Sequence, residues 1–103
     1  MKVSELFLNE PASWGLRGDP YLWREMGDAS KSLDLPNTEA ELQKFLEQLF
    51  YTITGHSIHS EEPFLIERFA RGGMSSGMVS PRFWCREALP MLLQRYRNIP
   101  SAS

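Results

Sequence analysis

Residues 38 to 54 constrain the fold more than any other stretch. Thr38 followed three residues later by Glu41 forms the pattern of a capping box, in which the two side chains satisfy amides at a helix start. Behind it, Leu42, Phe45, Leu46, Leu49, Phe50 and Ile53 recur at three- and four-residue spacing, and Gly55 stands where a helix closes. Burying that face supplies roughly 9 to 18 kcal/mol of gross stabilisation, at about 1.5 to 3 kcal/mol per large apolar side chain and before ordering entropy. A helix over 38–54 is therefore expected to be the main wall of the core.

A second landmark is Trp14-Gly15-Leu16-Arg17-Gly18-Asp19-Pro20-Tyr21-Leu22-Trp23, which holds two of the three tryptophans. Its glycines permit turning, Asp19 suits a helix N-cap and Pro20 the first helical position, so the stretch reads as an aromatic-lined corner. The helix opened by Asp19-Pro20 carries Leu22, Trp23 and Met26 and is expected to stop at Gly27. Upstream, Val3, Leu6 and Phe7 predict a short helix over about 2–8. Asp28 to Pro36 reads as a loop.

Residues 63–71 are ambiguous between strand and helix. Phe64-Leu65-Ile66 suits a short strand, whereas Leu65, Ile66 and Phe69 fit a helix face. The ends favour helix: Ser60 can cap, Glu61 and Glu62 suit its positive start, Arg68 and Arg71 its negative end, and Gly72-Gly73 terminates. Gly72 to Gly77 then reads as a connector, and Ser80-Pro81 opens a last helix to about Arg97 along Cys85, Ala88, Leu89, Leu92 and Tyr96. Pro90 removes the amide that would bond Arg86, which predicts a kink near 86–90. The whole reads as one all-α domain over 1–103, a compact bundle of about four main helices with a kinked C-terminal helix and a loose tail at 99–103.

The 103-residue length suits one domain, and 42% hydrophobic against 23% charged residues is a globular balance. No apolar run reaches the roughly 20 residues that span a bilayer, and no basic-then-apolar leader is visible, so no membrane role and a cytoplasmic location are expected. The single cysteine, Cys85, agrees with a reducing compartment and reads as a small buried apolar residue. Residues 1–62 carry a net charge of about −6 and residues 63–103 about +4. The halves either attract each other in the fold or present two faces to two partners.

Chemistry-bearing residues are few. His56 and His59 with Glu61 and Glu62 bring four conceivable ligands together, but after a helix-ending glycine and without the i, i+4 spacing of a helical zinc site, so no metal and no cofactor are expected. The Gly72–Gly77 run has no P-loop lysine, Ser75 and Ser76 have no specified base, and Arg17-Gly18-Asp19 reads as a cap rather than an adhesion signal. Cys85 lies on the apolar line of its helix and does not read as a nucleophile. The C-terminal arginines Arg82, Arg86 and Arg95 with nearby aromatics define an alternative, a small regulatory or nucleic-acid-binding module, against which stand the acidic balance and only three lysines.

The runs Trp14–Trp23 and Arg68-Phe69-Ala70-Arg71-Gly72-Gly73-Met74-Ser75-Ser76-Gly77 resemble segments of small uncharacterised bacterial proteins, some of the kind associated with toxin and immunity loci. The resemblance carries no catalytic motif. It implies a cytoplasmic protein that neutralises one cognate toxin by binding, without turnover. Binders of this kind commonly oppose the charge of their target, so Glu39, Glu41 and Glu47, with any exposed Trp14 or Trp23, are the candidate contacts. The expectation is a non-catalytic protein-interaction domain, not an enzyme, with a homodimer left open.

Overall fold

The computed structural model describes residues 1–11, 14, 20–70 and 73–99. A 3-10 helix, Val3–Phe7, is followed by α1, Pro20–Ala29, and α2, Glu39–Thr54. The hairpin strands β1, Phe64–Ala70, and β2, Gly73–Val79, come next. Last is α3, in which Pro81–Phe83 runs without a break in helical backbone into a π segment Trp84–Ala88 and then Leu89–Arg97. Among the described residues the architecture is three α-helices plus a two-stranded antiparallel sheet, so the expected all-α bundle of four helices is wrong.

The hairpin is where the expectation failed. Within 63–71, Phe64–Ala70 form strand β1 rather than a helix, and Gly72–Gly77 is not a connector, because Gly73 onward is β2. In register, Phe64 faces Val79, Leu65 faces Met78, Ile66 faces Gly77 and Ala70 faces Gly73. Exposure alternates with period two along β1: Phe64 and Ile66 are half-buried, Leu65 and Glu67 exposed. Glycines that would end a helix serve a tight strand connection equally well, and end signals alone do not separate the two.

α2 matches its sequence reading. The Thr38 hydroxyl accepts from the Glu41 amide at 3.2 Å, and Gly55, at φ 77°, closes the helix with its amide donating to the Tyr51 carbonyl. That positive φ is why glycine stands there. Leu42, Leu46 and Phe50 are fully buried, Leu49 and Ile53 partly so, and Phe45 lies at the exposed rim.

α1 does not stop at Gly27 but continues to Ala29. Gly27 is needed for close approach instead: a Cβ there would lie 3.1 Å from Phe7 Cβ, so the glycine lets the 3-10 helix lie against α1. In α3, Ser80 caps with its hydroxyl and Pro81 takes the first position, as the sequence suggests. The irregularity expected from Pro90 takes the form of the π segment, where the Leu89 amide reaches back five residues to the Trp84 carbonyl. The wider turn sets Trp84 and Leu89 on one buried face and leaves Cys85 at its edge, half-buried.

A run of ring contacts ties the elements together. Trp14 meets Phe83 at 5.1 Å between centroids and Trp23 at 5.5 Å; Trp23 meets Trp84 at 6.2 Å, and Trp84 meets Phe50 at 5.8 Å. Phe50 continues to Phe64 on β1, and the His56 ring stacks on Phe64 at 3.9 Å. One core thus extends from the N-terminal corner to the base of the hairpin, the geometry such pairs favour adding to the area they bury. The Trp23 indole donates to the Phe7 carbonyl at 2.9 Å and the Tyr96 hydroxyl to the Pro36 carbonyl at 2.7 Å. The Asp19 cap, the corner glycines and most of the tail lie outside the described residues; Ile99 packs partly against the core.

Candidate functional site

Trp14 and Trp23 are buried, as is Trp84, so none of the three tryptophans stands free as an interface anchor. The acidic residues of α2 divide. Glu39 pairs with Arg97, joining the acidic and basic halves of the chain across the α2–α3 packing, and Arg97 is held even more firmly charged by that hydrogen bond and charge. Glu47 accepts from His59, and Glu41 is exposed. Part of the charge asymmetry is therefore satisfied within the fold. Lys2 bonds Asp34 at 2.6 Å beside the Lys2–Asp34 β-bridge, and this hydrogen bond and charge hold the Asp34 carboxyl below its usual range.

The arginines also separate. Arg95 is committed to the backbone, donating to the carbonyls of Leu6 at 2.8 Å, Leu8 at 2.6 Å and Asn9 at 2.9 Å, with its guanidinium 5.7 Å from the Trp23 ring centre. Arg82 and Arg86 are exposed and line a different place, a cleft of about 450 Å³ with Ile58, His59, Ser60, Glu61 and Cys85. The three do not form one basic stripe.

Two features face outward. The first is the outer side of the hairpin, where Leu65 and Met78 sit directly opposite each other with 56% and 59% of their surface exposed. The inner side is fixed by Phe64, Ile66 and fully buried Val79. Among the described residues, no backbone hydrogen bond links either strand to another element, so neither outer edge is paired with a further strand there. Periodicity hid this face, because a strand read as a helix assigns its residues to the wrong sides.

The second is the meeting of α2, the 55–63 loop and α3 in the cleft. Buried Ile58 pins the loop, and the His59 amide donates to the Ser57 hydroxyl at 3.1 Å. This presents the imidazole between two groups: Nε2 lies 2.7 Å from Glu47 Oε2, and Nδ1 lies 3.7 Å from Cys85 Sγ. His56 goes elsewhere, stacking on Phe64, so the two histidines weighed as ligands do not share this site. Among the described residues no group of three or more His, Cys, Asp or Glu side chains could hold a metal ion. The two nitrogens of one ring point apart, which makes Glu47–His59–Cys85 a line rather than a cage.

No helix among the described residues is long and apolar enough to cross a membrane. No family model, curated protein or solved structure matches the chain.

Proposed function

We propose that this chain is a non-catalytic protein-binding domain whose contact surface is centred on the outer face of the β1–β2 hairpin, with neutralisation of a cognate toxin as its specific form. The observation that carries the reading is the Leu65–Met78 pair, two large apolar side chains held side by side in solvent on a two-stranded sheet with open edges. An isolated hairpin is marginal in water, and this one is supported from below by the ring contacts through Phe64 to Phe50. The effect is to display an apolar pair and free strand edges on a firm base, which suits strand addition by a partner segment, with main-chain hydrogen bonds giving affinity and side chains giving selectivity. The toxin-binding form rests on the resemblance of residues 14–23 and 68–77.

The α2 acidic face supports recognition less well, because Glu39 and Glu47 already have partners within the chain. The nucleic-acid alternative loses ground for the same reason, since Arg95 is consumed by backbone carbonyls.

The double variant Leu65→Glu/Met78→Glu tests the reading. Both side chains are mostly exposed, so the thermal midpoint should stay close to wild type while co-purification of the partner from the native host falls at least about tenfold, as for loss of a central apolar anchor. Undiminished co-purification from a variant of unchanged midpoint contradicts the hairpin as the contact surface.

A further inference from the structure

We infer that Cys85 is a reactive thiol, and that the cleft beside it takes a small disulfide bearing carboxylates, with which Cys85 exchanges to form a mixed disulfide. The inference is independent of the hairpin and requires no turnover.

The first support is the line Glu47–His59–Cys85. A carboxylate only accepts hydrogen bonds, so Glu47 fixes the proton of His59 on Nε2 and leaves the lone pair of Nδ1 facing the Cys85 thiol. The thiol can then hand its proton to Nδ1, and the imidazolium so formed keeps its Nε2–H on Glu47. Glu47 is the more sheltered partner, its side chain 27% exposed against 58% for His59, so the ring is oriented from the protein side and open on the other.

The second support is the wall of the cleft. Arg82 and Arg86 supply two cations from α3, Glu61 faces them from the loop, and Ile58 contributes an apolar element. Every titratable or charged group lining the space is thus accounted for: His59 and Glu61 on the loop, Arg82, Arg86 and Cys85 on α3, with Glu47 behind the histidine. Two guanidinium groups beside a thiol favour an incoming molecule with carboxylates, and Glu61 can receive its ammonium group. The volume of about 450 Å³ suits a molecule of a few residues and not a polypeptide domain.

The exchange balances without any further reagent. Cys85 Sγ attacks one sulfur of the small disulfide as His59 takes its proton. A new S–S bond forms to Cys85 and the original S–S bond breaks. The departing sulfur leaves as a thiolate and recovers the proton from His59, so one thiol and one disulfide become one mixed disulfide and one thiol.

Intact-mass measurement on the full chain reads the reaction directly, because Cys85 is the single cysteine. With oxidised glutathione as the probe, one adduct per chain is expected, forming at least about tenfold faster at neutral pH than in His59→Ala, and severalfold faster than in Glu47→Gln, which keeps the shape but not the charge. Charge reversal in Arg82→Glu/Arg86→Glu should slow oxidised glutathione about tenfold or more and leave cystamine, a cationic disulfide, no slower. Alkylation by uncharged iodoacetamide separates the two contributions: it should fall in His59→Ala, and the arginine reversals should slow it much less than they slow oxidised glutathione. His59, Arg82 and Arg86 are exposed and Glu47→Gln keeps the shape of a half-buried side chain, so thermal midpoints should stay close to wild type. An equal exchange rate in His59→Ala and wild type overturns the proton-transfer role. Arginine reversals that slow both disulfides alike, or neither, overturn the carboxylate-bearing class.

Discussion

Replacing Trp84 with alanine is expected to lower stability by about 3–5 kcal/mol, the range for deleting a buried large aromatic side chain, and so to remove much of the folding free energy of a domain this size. Trp84 is fully buried and sits where the ring run passes from the N-terminal corner to α2, touching both Trp23 and Phe50. Truncation would open a cavity between three elements at once. Trp84→Phe provides the contrast. The Trp84 indole nitrogen has no hydrogen-bond partner among the described residues, so phenylalanine loses ring volume but no hydrogen bond, and a smaller cost of about 1–2 kcal/mol is expected. Urea unfolding followed by fluorescence checks both: at a slope of about 1–3 kcal/mol per molar, the alanine midpoint should fall by 1 M or more. Equal midpoints for the alanine variant and wild type would show that the ring run does not hold the fold.

Arg95→Ala should cost about 2–4 kcal/mol, since hydrogen bonds to a charged group contribute about 1.5–3 kcal/mol each and the three here share one partly exposed guanidinium. The carbonyls of Leu6, Leu8 and Asn9 lie at the end of the 3-10 helix, where no amide of that helix can reach them. A side chain from α3 caps them instead, fastening the N-terminal segment to the far end of the chain. Arg95→Lys should recover less than half the loss, because a single ammonium cannot span all three carbonyls in the plane of a guanidinium fork. Urea midpoints give the size, and hydrogen exchange should show residues 3–9 losing protection first. Wild-type stability and protection in Arg95→Ala would mean that the arginine is free for other work.

How much of this was legible in the sequence depends on how local each signal is. α2 was legible because its cap, its apolar period and its closing glycine all lie within Thr38 to Gly55 and agree. The Ser80-Pro81 start was legible for the same reason. β1 was not, because Leu65, Ile66 and Phe69 satisfy a helical spacing while Phe64 to Glu67 satisfy an alternating one, and the pairing with Gly73–Val79 that decides between them is a non-local fact. Cys85 was misplaced by assuming a constant period along α3. The π segment shifts the phase there, so Trp84 is fully buried in the core and Cys85 packs only at its edge. The line Glu47–His59–Cys85 left no trace in the sequence at all, its members being 12 and 26 residues apart on three different elements.

The hairpin reading and the rival acidic face of α2 make opposite statements about where a partner touches. A photo-reactive amino acid placed singly at Leu65, Met78, Glu41 and Gln48, all exposed positions, and irradiated in the native host measures that contact directly. The account predicts one discrete protein adduct from the Leu65 and Met78 positions and none from Glu41 or Gln48. A discrete adduct from the α2 positions alone, with the hairpin positions silent, would contradict it.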